Sequence, residues 1–182
     1  MTDLDLQPLV SRAMRKDANA FSTLIERFEK SALALAYSVL HNADRAGDVV
    51  QEAFIRAWQE LHKLQEPQRF AGWFMQIVRN LAIDAHRRIR PALSEYPELE
   101  GKTEMPDFAM ETQEKASEIE EALTELDETT RTCVMMRYYD GKSAREIAEL
   151  LQLSAPAVDM RLSRGRALLR NRLVHLLAEE VI

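Results

Sequence analysis

The stretch SAREIAELLQLSAPAVDMRLSRGRALLRNRL, residues 143–173, decides the fold of the C-terminal half. Its apolar residues recur at helical spacing on both sides of a short turn at 152–154. Ser143, with Glu146 three residues later, predicts a capping box where the first helix begins, and Ser154 can cap the second helix. The pattern predicts a helix-turn-helix. Its expected inward side chains are Ile147, Ala148 and Leu151 in the first helix, Leu153 in the turn, and Val158 and Leu162 in the second helix.

The outward side of the second helix suits contact with DNA. Arginines there can hold phosphates at the rim of a major groove, while neighbouring side chains reach base edges. The alternative is an ordinary solvated amphipathic helix. Many such motifs have glycine where this chain has Gln152, but the turn, the caps, the apolar stripe and the charge agree. We therefore expect DNA binding through Asp159, Met160, Arg161, Ser163 and Arg164.

The residues before position 90 also show helical spacing. They predict four helices, at about Leu6–Lys16, Ala18–Leu40, Asp44–Leu64 and Phe70–Ile89. Pro91 is expected to end the last helix, because proline lacks the N–H that would continue it. The expected inward side chains of that helix are Trp73, Ile77, Leu81 and Ala85.

Charge is unevenly distributed along the 182 residues. The whole chain carries −6, but residues 94–128 hold 13 acids and two lysines, a net of −11, which leaves +5 for the rest. Pro97, Gly101 and Pro106 fall within this acidic region. We expect an irregular, flexible acidic linker at 91–113, between two parts of the chain that contact nucleic acid.

Composition favours helices. Apolar residues make up 46% of the chain, enough for a core, and glycine (5) and proline (6) are scarce. After the linker, Asp127 can cap a further helix, and Asp140 with Gly141 suits a turn. The predicted fold is all-α, with two small helical domains at residues 1–90 and 114–182 joined by the linker, the second containing the helix-turn-helix.

Several classes of protein are disfavoured by what the sequence lacks. The single cysteine, Cys133, allows no disulfide within the chain; its neighbours are apolar, so we expect a core thiol in a reducing cytoplasm. No signal peptide and no membrane-spanning run is seen. The four histidines lack metal-ligand spacing, and no glycine-rich phosphate loop occurs. We expect a cytoplasmic protein that is not an enzyme and uses neither a metal nor a cofactor.

The segment FAGWFMQIVRNLAIDAHRRIR, residues 70–90, mixes aromatic and basic residues. Aromatic rings can stack on unpaired bases while arginines hold the backbone. The alternative is that the rings only build a core, which we expect for Trp73. Phe70, at a junction between loop and helix, is open to either role.

Three motifs occur in order along the chain: DVVQEAFIRAW at 48–58, FAGWFMQIVRNLAID at 70–84, and the helix-turn-helix. In this order and spacing the chain resembles an extracytoplasmic-function sigma factor, one of the smallest bacterial sigma factors. The resemblance covers about residues 10–90 and 115–177. It implies a protein that binds core RNA polymerase, directs it to specific promoters and helps melt the minus-10 element.

The resemblance also implies partners. They are the clamp helices of the largest polymerase subunit, the flap of the second-largest subunit, promoter DNA and an anti-sigma protein, with no membrane. The helix that docks on the clamp matches Asp48, Gln51, Glu52, Ile55 and Arg56.

The DNA contacts follow from the same resemblance. The loop from Lys63 to Arg69 matches the one that accepts a flipped base of the minus-10 element, and the next helix matches the one that holds the melted strand. The helix-turn-helix residues would read the minus-35 element. The implied minus-10 contacts are Lys63, Arg69, Phe70, Arg79, Asn80, Asp84, Arg87 and Arg88.

Some positions depart from many relatives or leave alternatives open. Arg45 and Gly47 interrupt the acidic run that usually precedes QEAF, and Asp159 stands where lysine or arginine is usual. Asn80 suits base contact because its amide both donates and accepts, but it could be a plain surface residue. The linker could thread the polymerase towards the RNA exit path or act as a solvated spacer.

Two other functions compete with this one. A helix-turn-helix repressor or activator would explain residues 115–177 but leaves the aromatic and basic N-terminal helix without a role. A protein that binds polymerase without reading DNA would explain the linker but not the arginines of the last helix.

Overall fold

The computed structural model describes residues 6–95 and 113–178, and the surroundings of side chains over 6–88 and 117–174. The chain divides into two compact units, Met1–Lys102 and Thr103–Ile182. Every regular element in the described residues is a helix, which confirms the predicted all-α fold. Most of the predicted linker, residues 96–112, lies outside the described residues.

The described residues of the first unit, 6–95, form four α-helices: α1 (Leu6–Met14), α2 (Ala18–Leu40), α3 (Ala43–Glu60) and α4 (Phe70–Glu95). Helices α2, α3 and α4 pack against one another, and α1 packs on α2. Two short 3-10 turns, Leu61–Lys63 and Pro67–Arg69, connect α3 to α4 and contact α1. Local chemistry sets the helix starts: the side chain of Asp17 accepts from the N–H of Ala20 at 3.1 Å, and that of Asn42 accepts from the N–H of Arg45 at 2.9 Å.

An aromatic cluster forms the centre of this unit. The ring centroids of Phe54 and Phe74 are 4.6 Å apart and stacked, and those of Phe70 and Phe74 are 5.8 Å apart. Phe28 packs edge-on against Phe70 at 5.4 Å. Each such pair contributes about 0.5–1.5 kcal/mol beyond the burial of its area. The cluster fixes α4 against α2 and α3, and so decides which face of α4 reaches solvent.

The core face of α4 differs from the predicted one. Phe70, Phe74 and Val78 are fully buried, whereas Trp73 and Ile77, expected inward, are only half-buried. The helix carries two adjacent apolar stripes, so its periodicity fits either orientation. The stripe with two phenylalanines lies inward because it completes the aromatic cluster.

The prediction that Pro91 ends the first unit's last helix is wrong. Helix α4 runs through it to Glu95. Proline inside a helix removes one hydrogen bond and crowds the carbonyl four residues earlier, at a cost of about 3 kcal/mol. The residues after it, Ala92, Leu93 and Glu95, have good helix propensity and continue the helix.

The second unit contains α5 (Gln113–Thr124), α6 (Glu128–Tyr138), α7 (Ala144–Leu151) and α8 (Ala155–Ala178). Helix α8 packs on the other three, and Arg172 of α8 forms an ion pair with Glu125, just after α5. Gly141, with φ +70°, lies in the predicted turn between α6 and α7. Ile147, Ala148, Val158 and Leu162 are buried, as predicted. In α7 the buried leucine is Leu150, whereas Leu151, which was expected inward, is half-buried. Leu153, in the turn, is also half-buried.

The predicted helix caps of this unit are confirmed. Asp127 caps α6 by accepting from the N–H of Thr130 at 3.0 Å. Ser143 and Glu146 form the capping box of α7, in which the Ser143 N–H donates to Glu146 Oε2 at 2.8 Å. Gln152 adopts a left-handed conformation, φ 55° and ψ 42°, which explains why glycine is usual in this turn.

Helices α6 and α8 approach each other closely at Gly165. A Cβ at this position would lie 2.6 Å from Val134 Cγ2 and 3.5 Å from the methyl of Thr130. Only glycine allows this spacing, and it lets the third turn of α8 lie over the first turns of α6.

Candidate polymerase and nucleic-acid interfaces

Helix α3 presents one exposed strip. Asp48, Glu52 and Ile55 are exposed, and Ile55 keeps 59% of its surface accessible. Gln51 and Arg56 lie beside them and are also exposed; Arg56 Nε lies 3.6 Å from Glu60 Oε1. The opposite side of the helix is buried in the core. The structure therefore brings all five residues predicted to bind polymerase onto one face, which we call the α3 strip.

The loop between α3 and α4 exposes two cations. Lys63 Nζ lies 3.7 Å from Glu60 Oε2, and Arg69 Nε lies 3.0 Å from Glu66 Oε2. Both basic side chains are largely exposed, and surface ion pairs of this kind contribute roughly 0–1 kcal/mol. If Lys63 or Arg69 left its glutamate partner to bind a DNA phosphate, the cost in free energy would therefore be small.

The outer side of α4 carries most of the other predicted minus-10 residues. Asn80, Asp84 and Arg87 follow one another at helical spacing and are exposed, with Arg79 and Arg88, also exposed, beside them. We call this the α4 face. Gln76, which sequence reasoning missed, also lies on it, and its Nε2 donates to Asn80 Oδ1 at 2.9 Å. This bond orients the Asn80 amide so that its N–H groups point away from Gln76.

Phe70 is not available to nucleic acid. Its side chain is 0% exposed and stacks inside the aromatic cluster, so the prediction that it contacts the minus-10 element is wrong. Trp73 is the half-buried aromatic next to it, with ring centroids 5.9 Å apart. It lies one turn before Gln76 on the α4 face. A partly exposed ring beside exposed arginines can stack on an unpaired base.

The start of α8 presents the predicted recognition residues. Ser154 caps the helix through its hydroxyl, which accepts from the N–H of Ala157 at 3.3 Å. Asp159, Ser163 and Arg164 are exposed on the side away from the buried Val158, and Met160 keeps 46% of its surface accessible. Four of the five predicted residues thus share one outer surface.

Arg161 is the fifth, and it does not share that surface. It is half-buried, and its Nη1 donates to the carbonyl of Ala157 at 3.2 Å. Its charge also acts on Asp127, at the start of α6.

Four titratable groups of the second unit have shifted pKa values, and one of them is Arg131, whose pKa is lowered by burial. The hydroxyl of Thr130 is the largest cause of the lowered pKa of Asp127, and Ser143 lowers that of Glu146 through its own hydroxyl. Burial raises the pKa of Cys133 to about 11, so its thiol stays protonated. Cys133 is fully buried, which confirms the expected core thiol. The shifts accompany caps and core, not a reactive centre.

The part of the chain that the structure describes contains neither a metal-binding cluster nor a membrane-spanning helix. No group of three or more histidine, cysteine, aspartate or glutamate side chains there could hold a metal ion. No helix in the described ranges is both long and apolar enough to cross a membrane.

Comparisons with known proteins match both units. The family model for sigma-70 region 2 matches residues 24–91, and that for sigma-70 region 4 matches residues 116–169. The ECF RNA polymerase sigma factor SigW of Bacillus subtilis is 27% identical, over 94% of this chain and 98% of that protein. The RNA polymerase sigma-H factor of Pseudomonas aeruginosa is 30% identical, over 95% of this chain and 96% of that protein.

A solved structure has a similar fold. It is the complex of the sigma factor RpoE with the anti-sigma factor NepR from Bartonella quintana, and the match has a TM-score of 0.59 at 19% identity. It covers 84% of this chain and 96% of that one.

Proposed function

The chain belongs to the extracytoplasmic-function (ECF) sigma factors, and from this we infer which of its surfaces does each part of the work. As a member of this family it is not an enzyme. It directs RNA polymerase to promoters and starts transcription there. A simple helix-turn-helix regulator would leave the N-terminal half without a role, and the region 2 match covers that half. A protein that only binds polymerase would leave the C-terminal half without a role, and the region 4 match covers that half.

The α3 strip is the surface that docks on the clamp helices of core polymerase. Exposed carboxylates around an exposed isoleucine suit a partner helix with basic and apolar residues. Asp48 and Glu52 supply the charge, and Ile55 supplies the apolar contact. The family's usual acidic run is interrupted here by Arg45 and Gly47, so these two carboxylates account for most of the attraction.

The α4 face holds the melted minus-10 strand. Trp73 stacks on an unpaired base, Asn80 reads a base edge, and Arg87 and Arg88 hold the backbone. Lys63 and Arg69 hold the strand where it enters the loop before α4. Support comes from the spacing and exposure of these residues and from the bond by which Gln76 orients Asn80.

The start of α8 reads the minus-35 element in the major groove. Asp159 accepts from a cytosine amino group, Met160 and Ser163 contact neighbouring base edges, and Arg164 holds phosphate or guanine. The shared exposure of these four residues supports this assignment. Binding to two promoter elements at once raises the effective concentration of each contact.

An anti-sigma protein is the proposed regulator. The flap of the second-largest polymerase subunit is the proposed polymerase contact of residues 114–182, in addition to the clamp contact of the α3 strip. Support for the regulator comes from the similar fold of a sigma factor solved with its anti-sigma factor. We assign the work of the chain to the cytoplasm, where polymerase and promoter DNA are found.

The observation that best supports clamp docking is the common exposure of the α3 strip, and charge reversal there tests it. Asp48→Arg with Glu52→Arg should abolish both co-purification with core polymerase and run-off transcription, with helicity unchanged. The matched control is Glu26→Arg with Glu29→Arg, the same reversal on residues of α2. If the α3 double variant binds core as well as the control does, the strip is not the docking surface.

A further inference from the structure

The side chain of Lys16 joins the end of α1 to the end of α3, 42 residues later in the chain. Its Nζ donates to the backbone carbonyl of Trp58 at 3.1 Å and lies over the ring of the same residue, 4.7 Å from the centroid. The other neighbour of this ring is Phe21 of α2, with centroids 4.8 Å apart. Trp58 is therefore held by a hydrogen bond, by a cation–π contact and by an aromatic contact.

The carbonyl that Lys16 contacts lies at the C-terminus of α3. The helix ends at Glu60, so the carbonyl of Trp58 belongs to its last turn. The last four carbonyls of an α-helix have no partner further along the helix, and they carry the negative end of its dipole. An ammonium group at this place satisfies a carbonyl and is favoured by the dipole. Lys16 thus caps α3 from a different helix.

The backbone at Lys16 would suit glycine better than lysine. Its φ is 66°, in the left-handed region. The Lys16 N–H donates to the carbonyl of Ala13 at 2.9 Å, and the Asp17 N–H donates to that of Arg12 at 3.3 Å. These two bonds form the common helix ending in which glycine usually occupies the left-handed position. A glycine at this position would have no side chain with which to reach Trp58.

The corner that carries Lys16 is fixed to α2, and Trp58 lies next to the loop between α3 and α4. Asp17 caps α2, and its Oδ2 lies 2.7 Å from Arg12 Nη2. The first 3-10 turn of the loop, Leu61–Lys63, begins three residues after Trp58. Helix α1 itself contacts both 3-10 turns of the loop. Lys16 therefore connects a fixed corner to the point where α3 passes into the loop.

We propose that Lys16 is a positioning residue, which ties the last turn of α3 to the corner between α1 and α2 and so holds the loop of residues 61–69 in place. The inference rests on the role proposed for that loop, in which Lys63 and Arg69 hold the melted minus-10 strand. Lys16 acts through Trp58 and determines where these two cations lie; it does not contact DNA.

Amide hydrogen exchange of the loop, measured by NMR on the full chain, tests the positioning without DNA. The Leu64 N–H donates to the carbonyl of Leu61 at 3.1 Å, and the Arg69 N–H donates to that of Glu66 at 2.9 Å. Lys16→Met keeps an apolar stem and removes the ammonium group. It should speed the exchange of both amides several-fold, because the loop opens locally once its anchor is lost.

The matched control is Arg15→Met, which removes an exposed cation one position earlier. It should leave the exchange of the loop amides unchanged. Lys16→Arg should also keep the wild-type rates, because a guanidinium can donate to a carbonyl and stack on an aromatic face. Wild-type exchange in Lys16→Met, or the same acceleration in Arg15→Met, would overturn the proposal.

Lys16→Gly separates positioning from stability, and it keeps the test decisive if Lys16→Met does not fold. Glycine relaxes the left-handed backbone and removes the side chain. A residue that served only the end of α1 would be replaced by glycine without loss. We expect the loop amides to exchange faster in Lys16→Gly even where the first unit is as stable in urea as the wild type. Wild-type loop exchange in this variant would contradict the proposal.

Promoter opening with core polymerase tests the consequence for function. Lys16→Met should slow opening several-fold on duplex templates, whereas Lys16→Arg and Arg15→Met should open them at the wild-type rate. The double variant Lys63→Met with Arg69→Met removes the cations of the loop, and Lys16→Met should then slow opening no further. Fully additive effects would mean that Lys16 contacts DNA itself, and a wild-type rate in Lys16→Met beside a slow double variant would also overturn the proposal.

The failure of the role proposed for the loop can be told apart from the failure of this inference. If the double variant opens promoters as fast as the wild type, the loop does not hold the melted strand. The exchange of the Leu64 and Arg69 amides in Lys16→Met still decides whether Lys16 positions the loop.

Discussion

Substitution of Gly165 by alanine tests the close approach of α6 and α8. The new Cβ would lie 2.6 Å from Val134 Cγ2, about 1 Å inside the optimal carbon–carbon distance of roughly 3.5–4.0 Å. Val134 is buried, and a valine in a helix has essentially one side-chain rotamer, so it cannot turn away. Overpacking of this kind costs about 1–3 kcal/mol, and we expect the upper end. Alanine regains about 1 kcal/mol of helix propensity, which leaves a net loss of about 2 kcal/mol.

The two units can be followed separately in the full chain. Its two tryptophans, Trp58 and Trp73, both belong to the first unit, so their fluorescence in urea should be unchanged by Gly165→Ala. Hydrogen exchange of α6 and α8 amides reports the second unit and should show the loss. A neutral or stabilising effect of Gly165→Ala would refute the close approach.

A double-mutant cycle identifies the partner. Val134→Ala alone should cost about 1.6 kcal/mol, because it removes two methyl groups from the core. In the double variant the methyl of residue 165 takes the space left by Val134 Cγ2, so the combined loss should be smaller than the sum by about 1 kcal/mol or more. Simple additivity would mean that Gly165→Ala acts through some other neighbour.

Substitutions at the helix caps and at the residues proposed to contact DNA should have distinct effects. Gln152→Gly should stabilise the second unit by about 0.5–1 kcal/mol in urea denaturation, since it relieves a left-handed conformation. Ser143→Ala should cost about 1 kcal/mol at neutral pH. Ser143 lowers the pKa of Glu146 in the folded protein, so the loss of stability should be largest at pH values above 4.5, the ordinary pKa of glutamate. It should shrink as pH falls through the lower pKa that Glu146 has in the folded protein. Unfolding free energies of the wild type and of Ser143→Ala, measured over a range of acidic pH, would show this. Asn80→Ala should slow promoter opening more than it weakens closed-complex binding, as measured by stopped-flow on duplex and pre-melted templates; equal effects would make it a surface residue. Asp159→Ala should relax the preference at one upstream base pair by about 1–3 kcal/mol, and a selected promoter library with unchanged preference would assign Asp159 to solvent.

Local features were predictable from the sequence, because their causes lie within a few residues. The cap at Asp127, the capping box of Ser143 with Glu146 and the buried Val158 and Leu162 follow from side-chain chemistry and helical spacing, and all are present in the structure. The exposed side of α3 also matches expectation.

Features that depend on a distant partner were not predictable. Both Phe70 and Trp73 fit an inward stripe of α4, and only the cluster with Phe28, Phe54 and Phe74 decides between them. The need for glycine at 165 appears only once Val134 lies opposite. Arg161 looks in the sequence like the other arginines of α8, and only the structure shows that its side chain is half-buried and donates to the carbonyl of Ala157.

The exposed residues at the start of α8 have a consequence for how such proteins diverge. Asp159, Met160 and Ser163 touch solvent, and the core of the second unit rests on Val158, Leu162 and Gly165 in between them. If the first set reads the minus-35 element, as we propose, changes there would alter the DNA sequence that is read without disturbing the packing. A duplicated gene could therefore acquire a new set of promoters through a few substitutions, while the scaffold inherited from its parent remained intact.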